Sequence, residues 1–214
     1  MKKFSLLLVL ITVFISCSKD DITGSGNLTS EMREVNYFTK VKSEGVFEVN
    51  IIQGSTQSVE VVADNNVINK INTKVVNGEL RLYLDHGNYQ HINLEVNITA
   101  LRLNGLENSG AGDMYAHNID EKGVFSIDNT GSADILIEGS AANLNIENEG
   151  SGSIMAFDFL VNDSRIEIDG SGDVEVNCSN NLNVEIDGSG SVYYKGNPTI
   201  DVDISGSGQV INDN

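Results

Sequence analysis

Residues 166–192 read IEIDGSGDVEVNCSNNLNVEIDGSGSV, and the run Ile166-Glu167-Ile168-Asp169-Gly170-Ser171-Gly172-Asp173-Val174 returns 18 residues later as Val184-Glu185-Ile186-Asp187-Gly188-Ser189-Gly190-Ser191-Val192. Apolar and polar residues alternate on both sides of each Gly-Ser-Gly, and a period of two places one set on each face of a strand. Each copy therefore reads as strand, tight reversal, strand, with Gly and Ser supplying positive φ and room for the reversal.

Outward from this pair, the leading glycines are Gly110, Gly131, Gly150, Gly170, Gly188 and Gly206, at intervals of 21, 19, 20, 18 and 18 residues, which is a structural period. Four residues before each stands an apolar side chain (Leu106, Ile127, Ile146, Ile166, Val184, Val202), and another follows four residues after it (Met114, Ile135, Ile154, Val174, Val192, Val210). A coil of about 18–21 residues, two short strands and two turns, stacks on its neighbours at roughly 4.8 Å with parallel pairing. The expected fold is all-β, a single-stranded parallel β-helix of flattened two-sheet coils. An antiparallel meander of hairpins would also use Gly-rich turns, but its two ends have no reason to alternate in turn type so regularly.

Two polar columns follow from stacking. Asn108, Asn129 and Asn148 stand two residues before the leading Gly in the first three copies, as an amide ladder able to satisfy turn backbone groups, and Ile168, Ile186 and Ile204 take that place in the last three. Three residues before each leading Gly stand Glu107, Asp128, Glu147, Glu167, Glu185 and Asp203, an outward ladder with Asp113, Asp134 and Asp173 nearby. Like charges about 5 Å apart repel unless they are screened or bridged, and calcium is the natural bridging ion. The plainer role of such a ladder is a solvated face that keeps the protein soluble. These six acids are the candidate cation or ligand face, with no other metal or cofactor expected.

The chain has 214 residues and a formal net charge of -18, with 20 of its 31 Asp+Glu in residues 100–214 against Arg102, Lys122, Arg165 and Lys195. Such a surface repels nucleic acid and anionic lipid headgroups. Three His and two Cys, Cys17 and Cys178, are too few for a zinc finger, an iron–sulfur cluster or a disulfide framework. A lyase on similar coils would need a basic residue beside bound calcium; Arg165 and Lys195 fall at different coil positions, so no catalytic set is expected. The loop Asp85-His86-Gly87-Asn88-Tyr89-Gln90-His91 reads as an exposed turn that could alternatively bind a glycan or a metal.

Lys2 and Lys3 precede an apolar run, Phe4 to Ile15, that fits a signal peptide and is too short to span a membrane. Its end, Phe14-Ile15-Ser16-Cys17, resembles a bacterial lipobox, which implies lipidation of Cys17 after removal of residues 1–16. Lys19, Asp20 and Asp21 resemble the export signal that carries lipoproteins to the outer face of the outer membrane. Residues 17–27 are then the lipidated Cys and a polar tether, 28–99 irregular N-terminal β coils, and 100–214 the regular repeats, the last two forming one continuous domain. Before the repeats, Leu80, Leu82 and Leu84 alternate, as do Ile92, Leu94, Val96 and Ile98, and Asn77-Gly78 is a hairpin-turn dipeptide.

Gly24-Ser25-Gly26-Asn27, a strand ending near Ile52-Gln53-Gly54, Gly78-Glu79-Leu80 and the serial Gly-Ser-Gly turns together resemble the head GIN domain family of auto-transporter adhesins over roughly residues 24–210. The resemblance implies a right-handed β-helix similar to pectin-lyase-like folds, no catalytic set, and a role in cell adhesion, with glycans or cell-surface proteins as partners. A carbohydrate-active enzyme and a structural or envelope-sensing protein are the other classes open to this sequence. The outer edge of the last coil also makes a homo-oligomer an expected partner state.

Overall fold

The computed structural model describes residues 21–214; Cys17, Lys19 and Asp20, and with them the expected lipidation site and most of the export signal, lie outside the described residues. Among the described residues strands dominate, with one short 3-10 turn at Ile68–Lys70. Their alternation in burial follows the alternation in sequence. In β15 (Val174–Ile186), Val174, Val176, Cys178, Leu182, Val184 and Ile186 are buried while Glu175, Asn177, Asn183 and Glu185 face outward.

Two ladders run the length of the molecule. The first contains β7 (Glu79–Leu84), β3 (Lys40–Glu44), β10 (Gly105–Asn108), β12 (Val124–Asn129), the second halves of β13 (Ile135–Asn148), β14 (Ile154–Ile168) and β15, and β17 (Thr199–Ile204), every neighbour parallel. The second contains β9 (Leu94–Ala100), β4 (Glu48–Gln53), β11 (Met114–Asp120), the first halves of β13, β14 and β15, then β16 (Val192–Lys195) and β18 (Val210–Asn212), again all parallel. Because β13, β14 and β15 each serve both ladders, the two are one curled sheet around a single aliphatic core. Ile127, Ile146, Ile166 and Val184 are in register, one per repeat. That pairing excludes the meander.

The sheet is nevertheless mixed, which corrects the expectation of a β-helix parallel throughout. At the N-terminal end β6 (Ile71–Val76) is antiparallel to β7, β5 (Ser58–Asp64) to β9, and β2 (Leu28–Met32) to β5. For β6 the cause is local. Asn77 and Gly78 have φ of 54° and 81°, the positive pair that a two-residue type I′ turn needs, and the chain doubles straight back on itself.

The repeat glycines serve a different purpose from the one their residue type suggests. None of Gly110, Gly131, Gly150, Gly170, Gly188 and Gly206 is among the positive-φ residues, which are Gly26, Gly45, Gly78, Gly139, Gly196 and three non-glycines. What they supply is close approach. A Cβ on Gly150 would sit 1.9 Å from the Gly131 carbonyl oxygen, and one on Gly170 or Gly188 would meet the preceding turn's carbonyl at 1.9 Å as well. The reason is that the backbone ladder does not stop at the corner: Ser132, Ser151, Ser171, Ser189 and Ser207 each donate their N–H to the leading Gly carbonyl one coil before, at 2.9 to 3.1 Å.

Inside that corner runs the expected amide ladder. Asn108, Asn129 and Asn148 are buried; Asn108 Nδ2 donates to Asn129 Oδ1 at 2.8 Å and Asn129 Nδ2 to Asn148 Oδ1 at 3.2 Å. The ladder ends on backbone, with Asn148 Nδ2 donating to the carbonyls of Gly152 and Gly172. Ile168 and Ile186 continue the column as buried side chains, so it changes from polar to apolar midway.

Gly170→Ala is expected to destabilise the protein by about 1–3 kcal/mol, because two stacked turns must separate to admit a methyl group. Ser171→Ala, one residue on, should stay within about 0.5 kcal/mol. Urea unfolding of both variants checks the contrast.

Candidate functional site: a charged column on the first ladder

Glu107, Asp128, Glu147, Glu167, Glu185 and Asp203 are consecutive register partners, one on each of six adjacent strands. The ladder read from the sequence is thus a physical column. Its continuation toward the N-terminal end is basic: Glu107 is in register with Lys42, Lys42 with Arg81, and Arg81 with Lys74. Three cations followed by six carboxylates make one line along the molecule.

The column is not uniformly neutralised. Lys42 pairs with Glu107 and lies 3.8 Å from Glu44, and its pKa is raised, chiefly by the Glu107 hydrogen bond. Arg81 holds Glu79 at 2.7 Å. Arg165 reaches Glu167 and Glu185, each at 3.5 Å. Asp128 has only carboxylates above and below it; partial burial first, then Glu107 and Glu147, push its pKa up from the ordinary carboxylate value. Beside Asp128 lies a groove of about 220 Å³, opened by the missing side chain at Gly105 and bounded by Lys40, Ser126, Asn145, Glu107 and Glu147.

The neighbouring aspartates have other work. Asp113 Oδ1 accepts the Asp134 N–H at 2.9 Å, Asp134 Oδ1 the Ser153 N–H at 2.8 Å, and Asp173 Oδ1 the Ser191 N–H at 2.7 Å. Each stitches a coil to the next. Among the described residues no group of three His, Cys, Asp or Glu is placed to hold a metal ion. Arg165 and Lys195 lie on different ladders, and the Lys195 ammonium stands 4.1 Å above the Phe157 ring, so they do not converge.

The Asp85–His91 loop holds residues 21–23. Its strand β8 (Asn88–Gln90) pairs in parallel with β1 (Asp21–Thr23); Asn88 and Gln90 side-chain amides donate to the Asp21 carboxylate, and the Tyr89 hydroxyl donates to the Asp85 carbonyl. Residues 21–27, read as tether, thus lie on the body. Their anchor is Asp64, a fully buried carboxylate that accepts the N–H of Gly26 at 2.7 Å and of Asn93 at 2.8 Å, bonds that hold its pKa down. Sequence reasoning missed Asp64, because one acid in a turn carries no periodic signal. It also missed the Lys74–Arg81–Lys42 run, which only the register aligns with the acids.

Residues 37–198 match the family described as "Putative auto-transporter adhesin, head GIN domain". The chain belongs to this family. Three solved structures share the fold: an adhesin from Bacteroides fragilis at 24% identity and TM-score 0.69, covering 90% of this chain and 100% of that one; one from Parabacteroides distasonis at 21% and 0.58, covering 91% and 100%; and one from Parabacteroides merdae at 20% and 0.53, covering 91% and 100%. Each of these is itself described as a putative adhesin. No curated protein matches the chain.

Two carboxyls should leave opposite signatures in stability against pH. Asp128, raised in the folded state, contributes stability while protonated and loses it as pH rises through its folded value, so Asp128→Asn should raise the urea midpoint at pH 7. That gain should vanish below about pH 3.9, where an unfolded Asp is protonated too. Asp64, lowered in the folded state, contributes stability above the unfolded value and loses it as pH falls through the folded one. Asp64→Asn should therefore lower the midpoint at pH 7, with the gap closing in acid.

Proposed function

We propose that this protein is a surface-anchored lipoprotein whose head, a right-handed β-helix capped by antiparallel strands, binds glycans or neighbouring cell surfaces without catalysing a reaction. Cys17 carries the lipid after residues 1–16 are removed. Lys19, Asp20 and Asp21 direct the protein to the outer face of the outer membrane. Membership of an adhesin-head family supports a place at the cell surface. The observation that carries the binding role is the column Glu107–Asp128–Glu147–Glu167–Glu185–Asp203, held in register on a hydrogen-bonded sheet with a groove at Asp128.

Such a face is preorganised. Its acceptors are fixed at the strand spacing, so an extended polar ligand meets them without the ordering cost that mobile loops would impose. Sugar hydroxyls can donate to several carboxylates at once, and calcium can bridge acid to ligand where both are anionic. The separation of Arg165 from Lys195 weighs against a lyase, which needs its base beside the acids.

A glycan array read with and without calcium tests the proposal. Binding without product formation is expected, and the triple variant Glu107→Gln/Asp128→Asn/Glu147→Gln should bind at least about tenfold more weakly, a loss of roughly 1.4 kcal/mol. Product formation, or silence in both conditions, overturns it. For the anchor, Cys17→Ala should move the protein from the membrane to the soluble fraction. Replacing Lys19, Asp20 and Asp21 with Ala should keep it membrane-bound but shield it from protease added to whole cells.

A further inference from the structure

The two ends of the first ladder are complementary. Among the described residues β17 pairs only with β15 and β6 only with β7, so each presents an unpaired edge. At the β17 end the aliphatic column comes to the surface: Val202 and Ile204 are 41% and 40% exposed, whereas their register partners Val184 and Ile186 are 1% and 0%. The same inner columns end at the other side in Val75 and Thr73, the register partners of Leu80 and Leu82. Along the outer edge of β6 runs a groove of about 560 Å³, with Glu34, Val35 and Asn36 as its far wall.

Charge matches shape. Asp203 and Lys74 are the terminal members of one outward column, and among the described residues neither forms an ion pair; the Lys74 ammonium stands 5.8 Å from the Tyr83 ring, with Tyr83 and, more weakly, Asp85 favouring its charge. Asp201 adds a second acid to the β17 edge. Two β17 edges brought together would oppose aspartates to aspartates, which is repulsive at strand spacing. A β17 edge beside β6 instead places acids against Lys74, with Arg81 one strand further in, and covers Val202 and Ile204.

We propose that copies of this protein associate head to tail, the β17 edge of one seated in the groove beside β6 of the next. The column of three cations and six carboxylates is then repeated from copy to copy with opposite charges at each junction. Because the contact is heterologous, it extends into linear arrays or closes into rings rather than stopping at a dimer. Screening by salt weakens it, since both charged partners are exposed.

Cysteine cross-linking of the full chain on whole cells tests this, with Lys74→Cys and Asp203→Cys separately and together. Both sites are exposed, Cys178 is buried, and the unaltered chain reports any linkage through Cys17. The double variant should give, on mild oxidation, a reducible ladder of dimers, trimers and larger species, while co-expressed single variants give dimers only. High salt during oxidation should suppress the ladder. Dimers from Asp203→Cys alone would show a tail-to-tail contact and overturn the proposal. So would a double variant that stays monomeric while its thermal midpoint matches that of the unaltered chain.

Discussion

The constraint on which the rest depends is the N–H to carbonyl bond that each serine makes to the leading glycine one coil before. Ser151 to Gly131, Ser171 to Gly150 and Ser189 to Gly170 carry the strand ladder through the corner. Turn is thereby stacked on turn at strand spacing, and a side chain at the leading position has nowhere to go. Every other column inherits that spacing. The amides of Asn108, Asn129 and Asn148 can reach one another because the corners above and below them are fixed. The carboxylates are in line for the same reason, whatever their mutual repulsion.

That repulsion is tolerable in magnitude. Two unit charges about 5 Å apart cost about 1 kcal/mol in water and roughly 3 at an effective dielectric of 20. Each buried Val, Ile or Leu contributes about 1.5–3 kcal/mol, and the coils between Ile127 and Val192 each bury several such residues for the one acid each adds to the column. Arg165 relieves one stretch by spanning Glu167 and Glu185, and Lys42 relieves another at Glu107. Asp128 lies between the two cations without a partner of its own, and there partial burial first, with repulsion from Glu107 and Glu147 added, raises the pKa.

Legibility in the sequence followed periodicity. Wherever residues repeat in phase, from Leu106 to Val210, strand positions, inward residues, the amide ladder and the acidic column could all be read before any coordinates. What the repeat could not convey was why its glycines are there, since one residue type serves both positive φ and close approach, and only geometry separates them. Nor could it reach outside its own span. Lys42, Arg81 and Lys74 belong to the acidic column by register alone, across segments with no common spacing. Gly24-Ser25-Gly26 has the composition of a linker, yet the buried Asp64 carboxylate binds it down, a tertiary fact invisible to local pattern. Asn77-Gly78 was legible as a hairpin; that the hairpin would reverse the sheet at one end was not.

That reversal bears on how a parallel stack can end. A parallel coil offers the next coil the same donors and acceptors it received, so nothing in the repeat itself closes the sheet. At the N-terminal end the chain folds back instead: β6, β5 and β2 run antiparallel to their neighbours, and Arg33 donates to the Ile68 carbonyl while pairing with Glu31 beside it. For β6 this takes only the two-residue turn at Asn77-Gly78, whereas another parallel rung needs a whole coil. The β17 edge has no such device among the described residues, and its acids alone discourage a like edge. Acids repel other acids but attract cations, so the feature that keeps β17 edges apart is the same one that, in the proposed head-to-tail contact, matches Lys74 on the groove-bordered edge of β6.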